Sequence, residues 1–270
     1  MKKVILMTVL VLVLVLSAVS IASAVTDGEL DGDGHPHVVL LLMEVGGEPA
    51  YRCSATLLSP TVVLTAGHCT SNYPGEPYSG MRVFTEADVD NGNNNYPYKG
   101  KNSVEAKAWY AHPLYETAPF FVHDVGVVIL KKPIYLDTYG ELPEEGQLDQ
   151  LVEEVKKPKI TFTSVGYGLQ KSFPDAASWK DQADRVRMVA YPNLLQINTG
   201  FTGDFSVLLS NNTNTGGTCY GDSGGPNFLG DTNIVAGVTS YGLNWTCGGT
   251  GGVFRMDRPD VLEFVNSFLE

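Results

Sequence analysis

Beyond its first two dozen residues the chain consists of short apolar runs separated by turn-forming residues. The runs span residues 38–45, 54–58, 62–64, 125–130, 160–165 and 234–238. Between them fall Gly46-Gly47, Pro74-Gly75, the stretch 91–95, Pro133, Pro158 and Gly230. Short apolar runs bounded by such residues are strand signals, and many at this spacing predict an all-β sandwich or barrel. Two stretches follow another period. In 148–157, Leu148, Leu151 and Val155 share one face of a short helix. In 259–269, Pro259 suits a first turn, and Val261, Leu262, Val265 and Leu269 line one face of a terminal helix. Residues 91–95 read as a polar surface loop, and no internal repeat is visible.

The N-terminus differs from the rest. Lys2-Lys3 precedes an apolar run over 4–16, and Ala22-Ser23-Ala24 follows. That is a basic region, a hydrophobic region and an A-x-A site, which predicts a cleaved secretory signal peptide over residues 1–24. An uncleaved anchor is the alternative, since apolar character continues to Ala22. No later run is long enough to span a bilayer, so the mature chain is expected to be secreted, extracellular and free of membrane. The full sequence of 270 residues, 43% of them hydrophobic, suffices for a sizeable core in one or two units. Removing 1–24 takes away two lysines and no acid, so the net charge of −12 becomes −14. Such acidity argues against nucleic acid or anionic membrane as partners.

Four cysteines in an exported chain suggest two disulfides, with three pairings open. A zinc site is disfavoured, because no C-x-x-C is present. Asp27, Asp31 and Asp33 alternate with glycines but lack the spacing of a calcium loop, and they read as a solvated turn. No cofactor or metal is called for. Asn211-Asn212-Thr213 and Asn244-Trp245-Thr246 are glycosylation sequons.

The chemistry concentrates in residues 216–226, Gly-Gly-Thr-Cys-Tyr-Gly-Asp-Ser-Gly-Gly-Pro, where Ser223 sits among five glycines. A serine hydroxyl is a weak nucleophile and needs a base beside it. The stretch fits G-x-S-x-G, but in α/β-hydrolases the histidine follows the serine. Here all five histidines, at 35, 37, 68, 112 and 123, precede Ser223. The base must therefore lie upstream. His68 in Leu-Thr-Ala-Gly-His-Cys is the candidate, with Asp124, at the head of an apolar run, as its orienting acid. The order His68, Asp124, Ser223 is that of the chymotrypsin-type triad. His35 and His37 read as surface residues, His112 as a strand-edge residue and His123 as a neighbour of the acid.

At these motifs the chain resembles the chymotrypsin/trypsin family of serine endopeptidases. Residues 221–226 match that family's serine motif throughout. Residues 64–69 resemble its histidine motif, with Gly67 where alanine is usual. Weaker echoes are His112-Pro113-Leu114-Tyr115, Val165-Gly166-Tyr167-Gly168 and Ser240-Tyr241-Gly242. The resemblance implies two six-stranded Greek-key barrels with the active site in the cleft between them, plus a C-terminal helix. The halves would be 25–145 and 146–270, with the crossover near 141–146. It also implies disulfides Cys53–Cys69 and Cys219–Cys247, and an oxyanion hole from the amides of Gly221 and Ser223. A mature start at Val25 would pair its α-amino group with Asp222. Gly217, Thr218, Gly242 and Gly252 would wall a primary pocket, Tyr220 and Trp245 would line its rim, and Ser240 with Tyr241 would pair with substrate backbone.

No charged residue falls on those pocket positions, and Thr239 stands where glutamate-specific relatives carry histidine. The resemblance therefore implies preference for large apolar or aromatic side chains. Polypeptide substrates, possible protein inhibitors and a monomeric state are the expected associations. A catalytically silent secreted binding protein on this scaffold, or an esterase, is the alternative; the complete triad favours an active peptidase.

Overall fold

The computed structural model describes residues 25–71, 75, 77–119, 121–153, 160–171 and 183–269. The expected leader over 1–24, the turns at Pro74 and Pro158, and the second half of the expected 148–157 helix lie outside the described residues. The first half holds β1 (Glu29–Leu30), β2 (Val38–Val45), β3 (Glu48–Leu57), β4 (Val62–Thr65), β5 (Tyr78–Phe84), β6 (Ser103–Ala111) and β7 (Gly126–Leu130). The second half holds β8 (Phe162–Gly166), β9 (Met188–Ala190), β10 (Leu194–Ile197), β11 (Ser206–Asn211), β12 (Pro226–Leu229), β13 (Val235–Gly242) and β14 (Gly249–Arg255). The expected all-β class holds. So does the terminal helix, which runs Pro259–Asn266. The stretch predicted as a helix from Leu148 forms a 3₁₀ helix, Gln147–Val152.

Strands β2-β3-β4-β7-β6-β5 close a six-stranded barrel. The second half is a curled eight-stranded sheet, β1-β9-β8-β12-β13-β14-β11-β10, where a plain six-stranded barrel is expected. Its six strands from β8 to β10 do come round on themselves. Thr161 bridges Asn193, Leu194 N–H donates to Ile160 O and Phe162 N–H to Pro192 O. Strands β9 and β1 extend this barrel outward from β8. Between the halves, Glu141 N–H donates to Asn233 O and Val235 N–H donates to Glu141 O, so the segment around residue 141 is stitched to the second half.

The unbroken apolar run over residues 38–43 of β2 follows from burial on both faces. Val39, Leu41 and Met43 join one cluster with Ala55, Leu57, Val63 and Val128. Val38, Leu40 and Leu42 join another with Phe228, Val238 and Phe254 of the second half and Val261 and Val265 of the helix. The second cluster joins the two halves through apolar contact. A third, built from Phe162, Leu194, Ile197, Val207, Leu209 and Val253, belongs to the second half alone.

Three sequence expectations are corrected around β1. Asp31 is not in a solvated turn: its side chain and that of Arg187 are each 1% exposed, and Nε of Arg187 lies 2.8 Å from Asp31 Oδ2. The Arg187 guanidinium also donates to the carbonyls of Gly32 and Val38. His35 is not a free surface residue either, since Nδ1 pairs with Asp31. His37 is 2% exposed and packs edge-on against Phe228. Burial, then the charges of His35 and Arg187, push His37 down to about 4, so it is neutral at physiological pH. Burial alone would raise Asp31, but the hydrogen bonds and charge of His35, with Arg187, hold its carboxyl below the ordinary range.

Arg187→Ala should destabilise the fold by about 3–5 kcal/mol, because it strands a buried carboxylate. Denaturant midpoints would measure it, and adding Asp31→Asn should recover part of the loss. The native pair contributes stability above the ordinary carboxyl pKa, and that contribution is lost as pH falls through the depressed folded value.

Candidate active site

His68 lies on a one-turn helix, Gly67–Thr70, that follows β4 directly. Ser71 N–H and Thr70 Oγ1 both bond Gly67 O and close the turn. A disulfide joins Cys69 to Cys53 on β3, so this turn is anchored to the barrel. Glycine at 67, the one departure from the family motif, has a local cause. A Cβ there would sit 3.0 Å from the Tyr115 ring and 3.1 Å from Val125 N, so Tyr115 occupies the space an alanine methyl needs.

Asp124 precedes β7, is fully buried and has both carboxylate oxygens engaged. Oδ1 accepts from His68 N–H at 2.9 Å, and His68 Nδ1 lies 3.1 and 2.9 Å from Oδ1 and Oδ2. Ser240 Oγ donates to Oδ2 at 2.5 Å. These contacts place the proton on Nδ1 and leave Nε2 free to accept. Burial pulls the His68 pKa down, but the charge and hydrogen bonds of Asp124 outweigh it and raise His68 above its ordinary value. The Ser240 contact was missed in the sequence, where Ser240 read as a residue that pairs with substrate backbone. Nothing in spacing alone could reveal a bond between residues 116 apart.

The serine loop is held from both halves. Ser54 N–H, on β3, donates to Ser223 O at 2.8 Å, and Ser54 Oγ donates to Gly221 O. Cys69 Sγ lies 3.8 Å from Ser223 O, which brings the loop beside the His68 turn. From the second half, Gly224 N–H donates to Thr239 O, and Thr239 N–H to Gly225 O. Among the described residues, Ser223 Oγ makes no hydrogen bond; nucleophile–base bonds are commonly long without substrate. The amides of Gly221 and Ser223 likewise donate to no described acceptor. Gly221 has φ +97°, a conformation that disfavours any side chain.

Asp222 points the other way, fully buried. It accepts from Gly168 N–H at 2.8 Å and Cys219 N–H at 2.9 Å. Burial pushes it up to about 7, and those amides and the charge of Arg185 only partly oppose that. Val25 is fully buried against Met188 and Ala190. Thr26 O accepts from Gly217 N–H, and Thr26 Oγ1 bonds Asn211.

A cavity of about 360 Å³ opens at Ser223. Thr218, Tyr220, Ser240, Tyr241, Gly242 and Trp245 line it. Gly217 and Gly252 are not among its lining residues: Gly217 abuts Asn211, and Gly252 abuts the Tyr241 ring. Cys219, Cys247, Thr239, Leu243 and Asn244 line it in addition, and the Cys219–Cys247 disulfide joins two of its walls. No lining residue is charged. Tyr220 and Trp245 stand at the rim, 44% and 58% exposed. Asn211 is buried and bonds Thr218 O, so this sequon asparagine is a structural support rather than an accessible acceptor.

The Trypsin family's sequence pattern matches residues 29–258. The protein belongs to the trypsin family. This trypsin-family chain is 28% identical over 229 residues to a trypsin of Saccharopolyspora erythraea, covering 82% of the chain and 87% of that protein. It is 26% identical over 226 residues to a vitellin-degrading protease of Bombyx mori, covering 82% and 75%. Among solved structures it resembles HL collagenase, with TM-score 0.66 and 19% identity over 90% of this chain and 98% of that one. It also resembles the protease Anisep from Arthrobacter nicotinovorans, with TM-score 0.58 and 19% identity over 86% and 94%. The trypsin-family chain is a serine endopeptidase acting on polypeptides. Among the described residues, no helix is long and apolar enough to cross a membrane.

Proposed function

We propose that the protein is an exported, monomeric endopeptidase working through Ser223, His68 and Asp124. The observation that carries the reading is the doubly bonded Asp124–His68 pair beside a loop whose serine opens onto an uncharged cavity. Ser223 Oγ attacks the scissile carbonyl while His68 Nε2 takes its proton. The tetrahedral oxyanion is received by the free amides of Gly221 and Ser223. Collapse expels the amine, protonated by His68, and leaves an acyl-enzyme that water then cleaves with His68 again as base. Asp124 holds the tautomer and stabilises the imidazolium.

The N-terminal partner of Asp222 is the α-amino group released at Val25 when residues 1–24 are removed. The burial of Val25 and the bonding of Thr26 to Gly217 support this, since both draw the new terminus toward the serine loop. The cavity between Thr218 and Trp245 takes the side chain before the cleaved bond. With no counter-ion in its lining, a guanidinium there would be desolvated without compensation, so apolar and aromatic side chains are favoured. Protein inhibitors that present such a side chain would occupy the same cavity.

A fluorophosphonate probe should label the secreted protein and fail on Ser223→Ala. On peptide substrates, phenylalanine or leucine before the cleaved bond should exceed arginine in kcat/KM by about 100-fold or more, as expected where a charge must be buried unpaired. Labelling that survives in Ser223→Ala would sink the assignment, and arginine preference would sink the pocket.

A further inference from the structure

The backbone that carries Asp124 is held in an uncommon shape. His123 has φ +56°, the left-handed region, a strained conformation that a non-glycine residue keeps only where its surroundings enforce it. Val125 N–H donates to His123 O at 2.8 Å, so Asp124 is the centre of a three-residue turn. Among the described residues, the hydrogen bonds that His68 and Ser240 make to this turn go to the Asp124 carboxylate and none goes to His123. Something else holds it.

The His123 ring is the handle. Its Nε2 lies 2.9 Å from Asp260 Oδ2, in the first turn of the C-terminal helix. One face stacks on His112, with centroids 4.8 Å apart and planes 13° from parallel. His112 is itself fixed: its N–H donates to Val125 O, its Nδ1 accepts from Leu114 N–H, and it bonds the Asp260 backbone. Nδ1 of His123 is buried without a partner among the described residues, so Asp260 is the polar anchor of that ring. Among the described residues, the titratable groups in contact with it are Asp260 and His112, and Asp124 follows it in the chain. The helix is secured further along, where Phe264 packs on His112 and Phe268 stacks on Tyr110, each at 5.1 Å.

We infer that Asp260 is a positioning residue: through His123 it ties the C-terminal helix to the turn that aims Asp124 at His68. The inference rests on reading Asp124 as the acid of the triad. A chain segment contributed by the second half thus sets the geometry of an acid contributed by the first. Asp260 touches no reacting atom. Its effect passes through the His123 ring to the Asp124 backbone, and so to the hydrogen bonds that raise the His68 pKa.

The test compares Asp260→Ala, Asp260→Asn and Phe268→Ala in the full-length mature enzyme. Asp260→Ala should lower kcat about tenfold, a change of about 1.4 kcal/mol in the barrier, with KM unchanged. The acid limb of its kcat/KM profile should move to lower pH, because a displaced Asp124 supports the His68 imidazolium less. Asp260→Asn retains an oxygen that can accept from His123 Nε2–H and should restore most of the rate. Phe268→Ala loosens the far end of the same helix and should lower Tm while leaving kcat and the acid limb in place. The inference is overturned if Asp260→Ala leaves both kcat and the limb unchanged. It is overturned equally if Phe268→Ala reproduces the whole effect, which would make the helix a general stabiliser. Retention of activity in Ser223→Ala would instead overturn the triad, whatever the Asp260 variants do.

Discussion

Ser223→Ala and His68→Ala should each lower kcat by about 10⁶-fold, and the double variant should be no worse than either alone. The reason is that the two act as a unit. Without His68 the serine hydroxyl keeps its proton, and without Ser223 the imidazole has no nucleophile to activate. Asp124→Asn should cost less, about 10⁴-fold, with KM little changed. An asparagine there presents an N–H₂ or a neutral oxygen where His68 Nδ1–H, His68 N–H and Ser240 Oγ–H all donate to the carboxylate at 2.5–3.1 Å. It can satisfy the donors only in part, and it favours the tautomer with the proton on Nε2, the wrong nitrogen. The same substitution removes the charge that raises His68, so the acid limb of kcat/KM should fall to lower pH in whatever activity remains. Steady-state kinetics on a peptide amide, from pH 5 to 9, would read all three. A loss below about 100-fold in Ser223→Ala would mean that another group is the nucleophile, since binding and oxyanion donors alone account for the residual rate in such enzymes.

The strands of the first barrel were legible because each apolar run is short and bounded by turn residues. β2 stood out for having no polar alternation, and the structure supplies the cause: one face joins the first half's core and the other meets Phe228 and Phe254 of the second half. The three residues proposed as a triad could be picked out because they lie in short motifs whose order along the chain carries meaning. Contacts made by polar residues across long sequence separations were not legible. Asp31 looked like one of three aspartates in a glycine-rich turn, and only the fold brings Arg187 to it, 156 residues later. His37 looked exposed because histidine is polar, yet it is neutral and buried against Phe228. Asn211 looked like a sugar acceptor and is instead a buried strut between Thr26 and Thr218. The pocket was half legible: Tyr220, Gly242 and Trp245 line it, while Gly217 and Gly252 serve backbone and ring packing beside it. Motif alignment assigns positions around a pocket, but which side chains face the cavity depends on local bends such as the register shift between Thr239 and Tyr241.

A chain that begins at Val25 should be about 10²–10³-fold more active than one that keeps even Ser23-Ala24 ahead of it, a loss comparable to that of an oxyanion donor. Asp222 is the reason. It is the residue between the two amides proposed for the oxyanion hole, and its carboxylate is buried with two amide donors and, among the described residues, no ion-pair partner, Arg185 acting on it only through its charge. Burial raises its pKa from 3.8 to about 7. The folded state of the extended chain therefore binds a proton that the unfolded state has already lost between roughly pH 4 and 7. Its stability should fall as pH rises through that window, by on the order of 4 kcal/mol at full ionisation. A free α-amino group beside the carboxylate removes that penalty and fixes the turn over 221–223 in one conformation. Thermal unfolding of the two forms should then give similar Tm near pH 4 and a gap that widens to pH 8 in favour of the Val25 form. Asp222→Asn should abolish the gap, because the amide has no charge to compensate, and it should leave both forms equally poor catalysts. Equal activity of the two forms at pH 8 would show that the loop is organised without the terminus, and Gly168 and Cys219 would then be holding Asp222 unaided.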